Sequence, residues 1–499
     1  MPHSRRDDSS VLAVLRSPRL LLRESLAGLV VALALIPEAI SFAIIAGVDP
    51  RVGLYSSFVM GVAIAFLGGR PAMITASTAA VALVVAPVAR EHGLDYLIAT
   101  VLLGGVLQIV MAVLGVAKLM RFVPRSVMVG FLNSLALLML SSQIPHVIEK
   151  PWMVYVLIGI ALVIMAIWPR ITKTIPAPLV AIIVVTVITV LANIAVPTVG
   201  DQGELPRAFP TLFIPDVPLT FETLGIIAPY AFAMAVVGLL ESLIAAKLVD
   251  EVTDTRSDKT RESWGQGGAN ILSGLLGGMG GCAVIGQTMM NVKVAGARSR
   301  VSTFLSGAFL LVLVLLLSDV VAVIPMAALV AVMIVVAIAT VDWHSLKPST
   351  LRRMPKSETA VMFLTMAGVL TTGNLAVGAV IGVLTAMVLF ARRVAHFQHV
   401  TRAVLFGANG EPESVRYTVQ GALFFASSND LTNQFEYAED PNRVVIDLSA
   451  SHIWDASSVA ALDAIAHRYA NRGKTVEVVG MNEASARMHA RLAGGFGLD

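Results

Sequence analysis

Two glutamates interrupt long apolar runs, and they do so in similar surroundings. Glu38 lies in Leu35-Ile36-Pro37-Glu38-Ala39-Ile40-Ser41-Phe42-Ala43, and Glu241 in Gly238-Leu239-Leu240-Glu241-Ser242-Leu243-Ile244. A carboxylate at membrane depth is costly unless it is protonated, paired or wetted. Both residues are therefore candidates for ion or proton traffic. The competing role is a neutral, hydrogen-bonded glutamate that packs helices. Pro37 removes a backbone donor and loosens the helix beside Glu38. Glu38 is the residue expected to carry the proton, with Glu241 as a second coupling or structural carboxylate.

Two further apolar stretches are interrupted differently. Residues 73–88 begin with the polar run Thr75-Ala76-Ser77-Thr78. Residues 269–294 are rich in glycine and are broken by Gln287, Thr288 and Asn291. Such segments imply irregular backbone and half-helices, which a membrane tolerates only where they line a cavity. Two half-helices meeting at the midplane aim free N–H groups and positive dipole ends at one spot, which suits an anion. Its polar lining would be Thr75, Ser77 and Thr78 on one side and Gly286, Gln287 and Thr288 on the other. The competing role for these small residues is close helix packing. Neither stretch carries a lysine or arginine before Lys293. Binding would then rest on dipoles and hydrogen bonds, with moderate affinity and ready release. Moving one negative charge inward costs about 2.3 kcal/mol per 100 mV of inside-negative potential. Accumulating an anion thus needs co-transported cations or an exchanged anion.

The elements that must hold these residues are membrane helices. The chain has 499 residues, of which 56% are hydrophobic and 14% charged; soluble domains carry roughly 25% charged residues. Apolar runs suited to crossing fall at 26–47, 52–67, 97–117, 127–143, 154–168 and 179–196. In the second half they fall at 224–246, 304–318, 320–339, 360–370 and 375–391. With the two broken stretches near third and tenth place, the count is about fourteen. The glutamates occupy the first and eighth segments. An offset of seven in both cases predicts two inverted repeats of seven.

Charge predicts the orientation. One set of loops holds Arg70, Lys118, Arg121, Arg125, Arg170, Lys173, Arg256, Lys259, Arg261, Lys293, Arg298, Arg300, Lys347, Arg352, Arg353 and Lys356. The other holds only Arg51, Arg90, Lys150 and Arg207. The positive-inside rule places the first set, and both termini, in the cytoplasm. The start of the chain does not read as a cleaved signal peptide. Residues 11–22 suit an amphipathic helix lying along the membrane surface.

From about Val400 the composition becomes more polar. Strands are expected at 444–448 and 475–479, and helices at 457–470 and 483–492. That alternation predicts a small α/β domain. The expected division is a cytoplasmic N-terminal segment over 1–24, a transport domain over 25–395, and the α/β domain over 396–499.

Other chemistry finds little support. Cys282 is the single cysteine, so an intramolecular disulfide is excluded. Its neighbours Gly280, Gly281 and Ala283 suggest a packing role. His396 and His399 have the i, i+3 spacing of metal ligands but no further ligands nearby in sequence. No phosphate-binding loop, zinc-type spacing or hydrolase elbow is present. No enzyme activity, cofactor or metal is expected. A net charge of +3 is too small to argue for nucleic acid.

These residues bring a family into view. The chain resembles the SulP anion transporters, solute carrier family 26, over nearly its whole length. The likeness rests on Ile36-Pro37-Glu38-Ala39-Ile40-Ser41-Phe42-Ala43 leading to Gly53-Leu54-Tyr55, and on Gly238-Leu239-Leu240-Glu241-Ser242-Leu243. Gln266-Gly267-Gly268-Ala269-Asn270-Ile271 follows, then Gly277-Gly278-Met279-Gly280-Gly281, Asn291-Val292 and Gly296-Ala297-Arg298. The tail resembles a STAS domain through Val445-Ile446-Asp447-Leu448-Ser449 and Asp455-Ala456-Ser457-Ser458.

The resemblance implies a core domain moving against a gate domain, a homodimer, and an anion site between the third and tenth segments. It maps that site to Ser77, Thr78, Ile285, Gly286 and Gln287, with Glu38 and Glu241 facing it and Phe42 nearby. Some positions depart from the family. Glu241 is followed by Ala245 rather than a hydroxyl, and Ile285 stands where a hydroxyl is common. Both argue against a sodium site. Gln287 stands where many members carry arginine. Ala456 occupies the position that is a phosphorylated serine in related anti-sigma antagonists, which argues against a phosphoserine switch.

The expected function is proton-coupled symport of anions across the cytoplasmic membrane by alternating access, with a C4-dicarboxylate such as fumarate favoured. Sulfate or bicarbonate transport and anion exchange are the alternatives. An anion channel or voltage-responsive motor is the alternative of another class. A cytoplasmic partner for the STAS tail is a further expectation.

Overall fold

The computed structural model describes residues 10–115, 123–171, 176–395, 399–407 and 411–492. Lys118, Arg121, Lys173 and His396, used in the charge and metal readings, lie outside these residues. The chain forms two compact units, 1–383 and 384–499.

In the first unit a short helix α1 (Val11–Arg16) ends at Ser17, whose backbone is extended, and Pro18 opens α2 (Pro18–Ala46). Then come α3 (Pro50–Leu67), β1 (Thr75–Ala76), α4 (Ala79–His92), α5 (Leu94–Val113), α6 (Arg125–Gln143), α7 (Trp152–Ile171) and α8 (Ala177–Leu191). The same order returns with α9 (Phe221–Thr253), α10 (Lys259–Leu275), β2 (Cys282–Ala283) and α11 (Ile285–Met289), which runs on into a π turn over Met290–Val294. It finishes with α12 (Arg300–Ala322), α13 (Met326–Thr340), α14 (Lys356–Thr372) and α15 (Leu375–Ala395), whose residues from Leu384 on belong to the second unit. Among the described residues, and apart from α1 and the short helices Trp343–Leu346 and Pro348–Arg353, each half is two helices, a strand with a half-helix, and four more helices. Seven is odd, so the second half enters from the opposite face and the repeat is inverted.

Among the described residues, eight helices are long and apolar enough to cross a membrane. Helix α10 is not among them, and here the sequence reading needs correction. The stretch 269–294 is not one broken segment. It holds the end of the complete helix α10 and, separately, the interrupted crossing. Ser263, Gln266, Asn270 and Ser273 of α10 are all buried inside protein. Asn270 Nδ2 donates to Gln108 Oε1 at 2.9 Å, and Ser273 Oγ to Ser56 Oγ at 3.1 Å. A polar helix is stable at membrane depth when protein satisfies it. Gly105 and Gly267 let α10 and α5 touch: a Cβ on either would stand 2.7 or 2.6 Å from the other's carbonyl oxygen.

Helices α2–α5 pack with α9–α12 as one bundle, and α6–α8 pack with α13 and α14 as a second. Two buried glutamates tie loops at the arginine-rich face of the first bundle. Glu24 accepts from Arg298 N at 2.8 Å and Ser299 Oγ at 2.8 Å. Glu262 accepts from Gly69 N at 2.7 Å, Arg70 N at 2.9 Å and Gln266 Nε2 at 2.8 Å.

The second unit is an α/β domain. Its sheet has the order β3 (His399–Phe406), β4 (Pro412–Leu423), β5 (Arg443–Ile453), β6 (Thr475–Val479). The β3–β4 pair is antiparallel and the others are parallel. Helices α16 (Phe425–Leu431), α17 (Ala456–Ala470) and α18 (Glu483–Leu492) accompany it. The β3–β4 pair was not foreseen from sequence. Asp440 is buried there and accepts from Tyr417 Oη at 2.6 Å, Tyr469 Oη at 2.5 Å and Arg402 Nε at 2.9 Å.

Candidate functional site

The site forms where the two interrupted crossings meet. Strands β1 and β2 pair antiparallel, Thr75 opposite Ala283 and Ala76 opposite Cys282. A half-helix follows each strand, so α4 and α11 leave the crossing in opposite directions with their N-termini at its centre. Val284 N donates to Ile74 O at 2.8 Å and extends the pairing. Neighbouring helices clamp the crossing. Asn270 accepts from Gly281 N at 2.8 Å, Ser56 Oγ donates to Gly280 O at 2.6 Å, and Ser242 Oγ accepts from Ala283 N at 3.1 Å. Gly280 has φ +71°, and a Cβ on Gly281 would collide with the Ala76 carbonyl. That explains two of the consecutive glycines.

Both glutamates reach the crossing, and both are 7% exposed. Gln287 Nε2 donates to Glu38 Oε1, joining α11 to α2. Glu241 Oε2 accepts from Cys282 Sγ at 2.9 Å, and Cys282 Sγ stands 3.1 Å from Thr78 Oγ1. Thr78 is the N-cap of α4 and accepts from Val81 N at 3.3 Å. Phe42 lies one turn beyond Glu38 on the same face of α2 and is buried.

Several predicted lining hydroxyls are already engaged. Thr75 Oγ1 accepts from Gln266 Nε2 at 2.9 Å. Ser77 Oγ shares a 2.7 Å hydrogen bond with Ser57 Oγ. Thr288 Oγ1 accepts from Ile74 N at 3.0 Å. Thr75 and Ser77 thereby tie the first interrupted segment to α10 and α3, and Thr288 ties α11 to the residue before β1. Ile285 is half-buried and Gly286 is exposed; a Cβ on Gly286 would meet nothing within 4 Å.

Gly286 opens onto a cavity of about 800 Å³ whose lining includes Arg23, Ala27, Pro169, Pro176 and Lys293. This vestibule lies between the two bundles and opens on the arginine-rich face. A second cavity, of about 980 Å³, lies on the opposite face and includes Asp49, Arg51, Tyr55, Glu204 and Asp319. None of the site residues lines it. Arg51 pairs with Glu204, and Tyr55 Oη donates to Ala208 O at 2.9 Å, tying the loop before α9 across that side. Gly286 thus places the start of α11 on the wall of the cavity at the arginine-rich face.

Cys282, which the sequence reading assigned to packing, stands at this crossing between Glu241 and Thr78. Its glycine-rich neighbours signalled packing. The signal that could have found it is its place opposite Ala76, two residues before Thr78, in the matching interrupted segment.

The chain matches the Sulfate permease family over residues 21–152 and 146–365, and the STAS domain over 408–496. It is 49% identical over 472 residues to the putative sulfate transporter YbaR of Bacillus subtilis, covering 94% of this chain and 97% of that one. It is 24% identical over 516 residues to the bicarbonate transporter BicA of a Picosynechococcus strain, covering 93% and 89%. Its fold is similar to that of the murine anion transporter Slc26a9 in an inward-facing state, with a TM-score of 0.78. Identity there is 17%, covering 94% of this chain and 87% of that chain. The chain therefore belongs to the sulfate permease family of multi-pass anion transporters and carries a C-terminal STAS domain.

Proposed function

We propose that this protein is a proton-coupled symporter of anions with a C4-dicarboxylate such as fumarate as its favoured substrate. It would work as a homodimer in the cytoplasmic membrane, with both termini and the arginine-rich face in the cytoplasm. The observation that carries this reading is the hydrogen bond from Gln287 to Glu38 at the start of α11. An ionised Glu38 holds the amide and repels a second anion. A protonated Glu38 lowers the local negative charge and frees Gln287 Nε2 for substrate. Proton and anion then favour each other at one place, as symport requires. Thr78, the first-turn amides of Ile285 and Gly286, and Gln287 would hold the anion; Glu241 would be the second coupling carboxylate.

No lysine or arginine side chain hydrogen-bonds at the crossing among the described residues. A carboxylate, which accepts directed hydrogen bonds from amides and hydroxyls, suits that lining. The name of the Bacillus relative favours a second reading, sulfate. Labelled fumarate uptake into proteoliposomes, challenged with unlabelled sulfate, bicarbonate or fumarate, separates them. Competition by fumarate at the lowest concentration supports the first reading. Indifference to fumarate while sulfate or bicarbonate accumulates would leave symport intact with the substrate wrong.

A further inference from the structure

We propose that a groove between α1, α2, α3 and α12 holds an anionic phospholipid, its chains on an apolar wall and its phosphate on Arg261 and Arg300. The groove encloses about 540 Å³ on the arginine-rich side of the first bundle, away from the transport vestibule. Leu15, Leu21, Phe66, Phe304 and Leu305 form its wall. The rings of Phe66 and Phe304 meet edge to face at 5.9 Å, yet Phe66 stays 65% exposed and Leu15 58%. In a helix bundle at membrane level, such a surface is one that acyl chains cover.

The two arginines give the groove a head-group end. Arg261 Nη2 donates to Phe66 O at 3.0 Å, and its Nε to Leu67 O at 3.3 Å. Arg300 Nη1 donates to Ala65 O at 3.1 Å. Both guanidiniums therefore converge on the C-terminal carbonyls of α3, where the helix dipole favours cations. Carbonyls are neutral, and each guanidinium has five N–H donors, so donors and positive charge remain. Among the described residues neither arginine forms an ion pair. Glu262, the next residue on α10, bonds the Gly69 and Arg70 amides and acts on Arg300 only through space, without an ion pair.

Helix α1 closes the groove. Its exposed Leu12 and Leu15 stand beside Arg16, the pattern of a helix lying in the membrane interface. The break at Ser17–Pro18 turns it so that Val11 and Leu15 face Phe66 and Phe304 across the groove. A free anion would leave the apolar wall bare, and a neutral lipid would leave two guanidiniums unmatched. Only an amphiphile with an anionic head satisfies both ends.

The test is lipid retention by the full chain in native mass spectrometry. Phosphatidylglycerol and phosphatidylcholine of matched chains are offered to the parent, to the Arg261→Gln/Arg300→Gln pair and to Ser25→Trp, which fills the groove and keeps both arginines. The parent should retain phosphatidylglycerol about tenfold over phosphatidylcholine. The paired variant should lose that preference, and Ser25→Trp should lose the bound lipid. Equal retention of both lipids by the parent overturns the proposal. So does an unchanged preference in Ser25→Trp, which decides the matter even if the arginine pair fails to fold. Displacement of the lipid by free glycerol phosphate would also overturn it, because the site would then hold a soluble anion.

Discussion

The thiol of Cys282 donates a hydrogen bond to the buried carboxylate of Glu241 at 2.9 Å, and thereby ties strand β2 to helix α9. The same sulfur lies 3.1 Å from the hydroxyl of Thr78, the N-cap of α4. A single small side chain thus links the second glutamate to the half-helix of the other repeat. Cys282→Ala removes the donor to a buried carboxylate and should cost about 1–3 kcal/mol. Cys282→Ser keeps a donor and should cost less. Thermal unfolding of the purified chain checks the order; an alanine variant as stable as the parent would show that the contact contributes nothing.

Gly286 faces the vestibule with open space where a Cβ would stand. Gly286→Leu should therefore fold with near-parental stability and still transport poorly, since its side chain would occupy the approach to α11. Uptake and a thermal melt on the same preparation decide it. Parental uptake in a well-folded variant would mean that substrate takes another path.

Glu262 is the acceptor for two loop amides and for Gln266, which in turn meets Thr75 of β1. Glu262→Ala would strand these buried donors and should destabilise the first unit by about 3 kcal/mol. Because Thr75 sits in the strand pairing, substrate binding should weaken as well. A variant that melts like the parent would assign those amides to another acceptor.

Much of this was legible from residue types. Glu38 and Glu241 announced themselves as charges inside apolar runs. The strand Thr475–Val479 and the helix Glu483–Leu492 fall where alternation and helical periodicity place them. Helix α10 was hidden because hydropathy measures fitness for lipid, whereas its Asn270 and Ser273 are satisfied by neighbouring protein. The engagement of Thr75 with Gln266, Ser77 with Ser57 and Thr288 with Ile74 was hidden for a related reason. Spacing along the chain brings hydroxyls to the crossing but does not say which partners across it they meet. Cys282 was read as packing because its partner, Glu241, is 41 residues away.

In the STAS unit, burial and the Asp440 carboxylate that accepts their hydroxyls push the ionisation of Tyr417 and Tyr469 upward. An unfolded tyrosine releases its proton near pH 10. The folded pair holds its protons longer, so its stabilisation is complete below that value and declines as pH rises above it. Unfolding of this unit should become easier as pH rises above about 10. Tyr417→Phe and Tyr469→Phe should each flatten that decline. Tyrosinate absorbance against pH reads the effect, and an identical alkaline decline in both variants would contradict it.

The most direct test of the central claim is labelled fumarate uptake into proteoliposomes, with and without an inward proton gradient, for the parent and for Glu38→Gln. Loss of a carboxylate that cycles its proton should abolish gradient-driven accumulation while the glutamine still accepts a bond from Gln287. Accumulation is expected in the parent only when the gradient is present, with none above equilibrium in the variant. Equal gradient-driven accumulation by both would remove Glu38 from the coupling and leave Glu241 as the carboxylate to test.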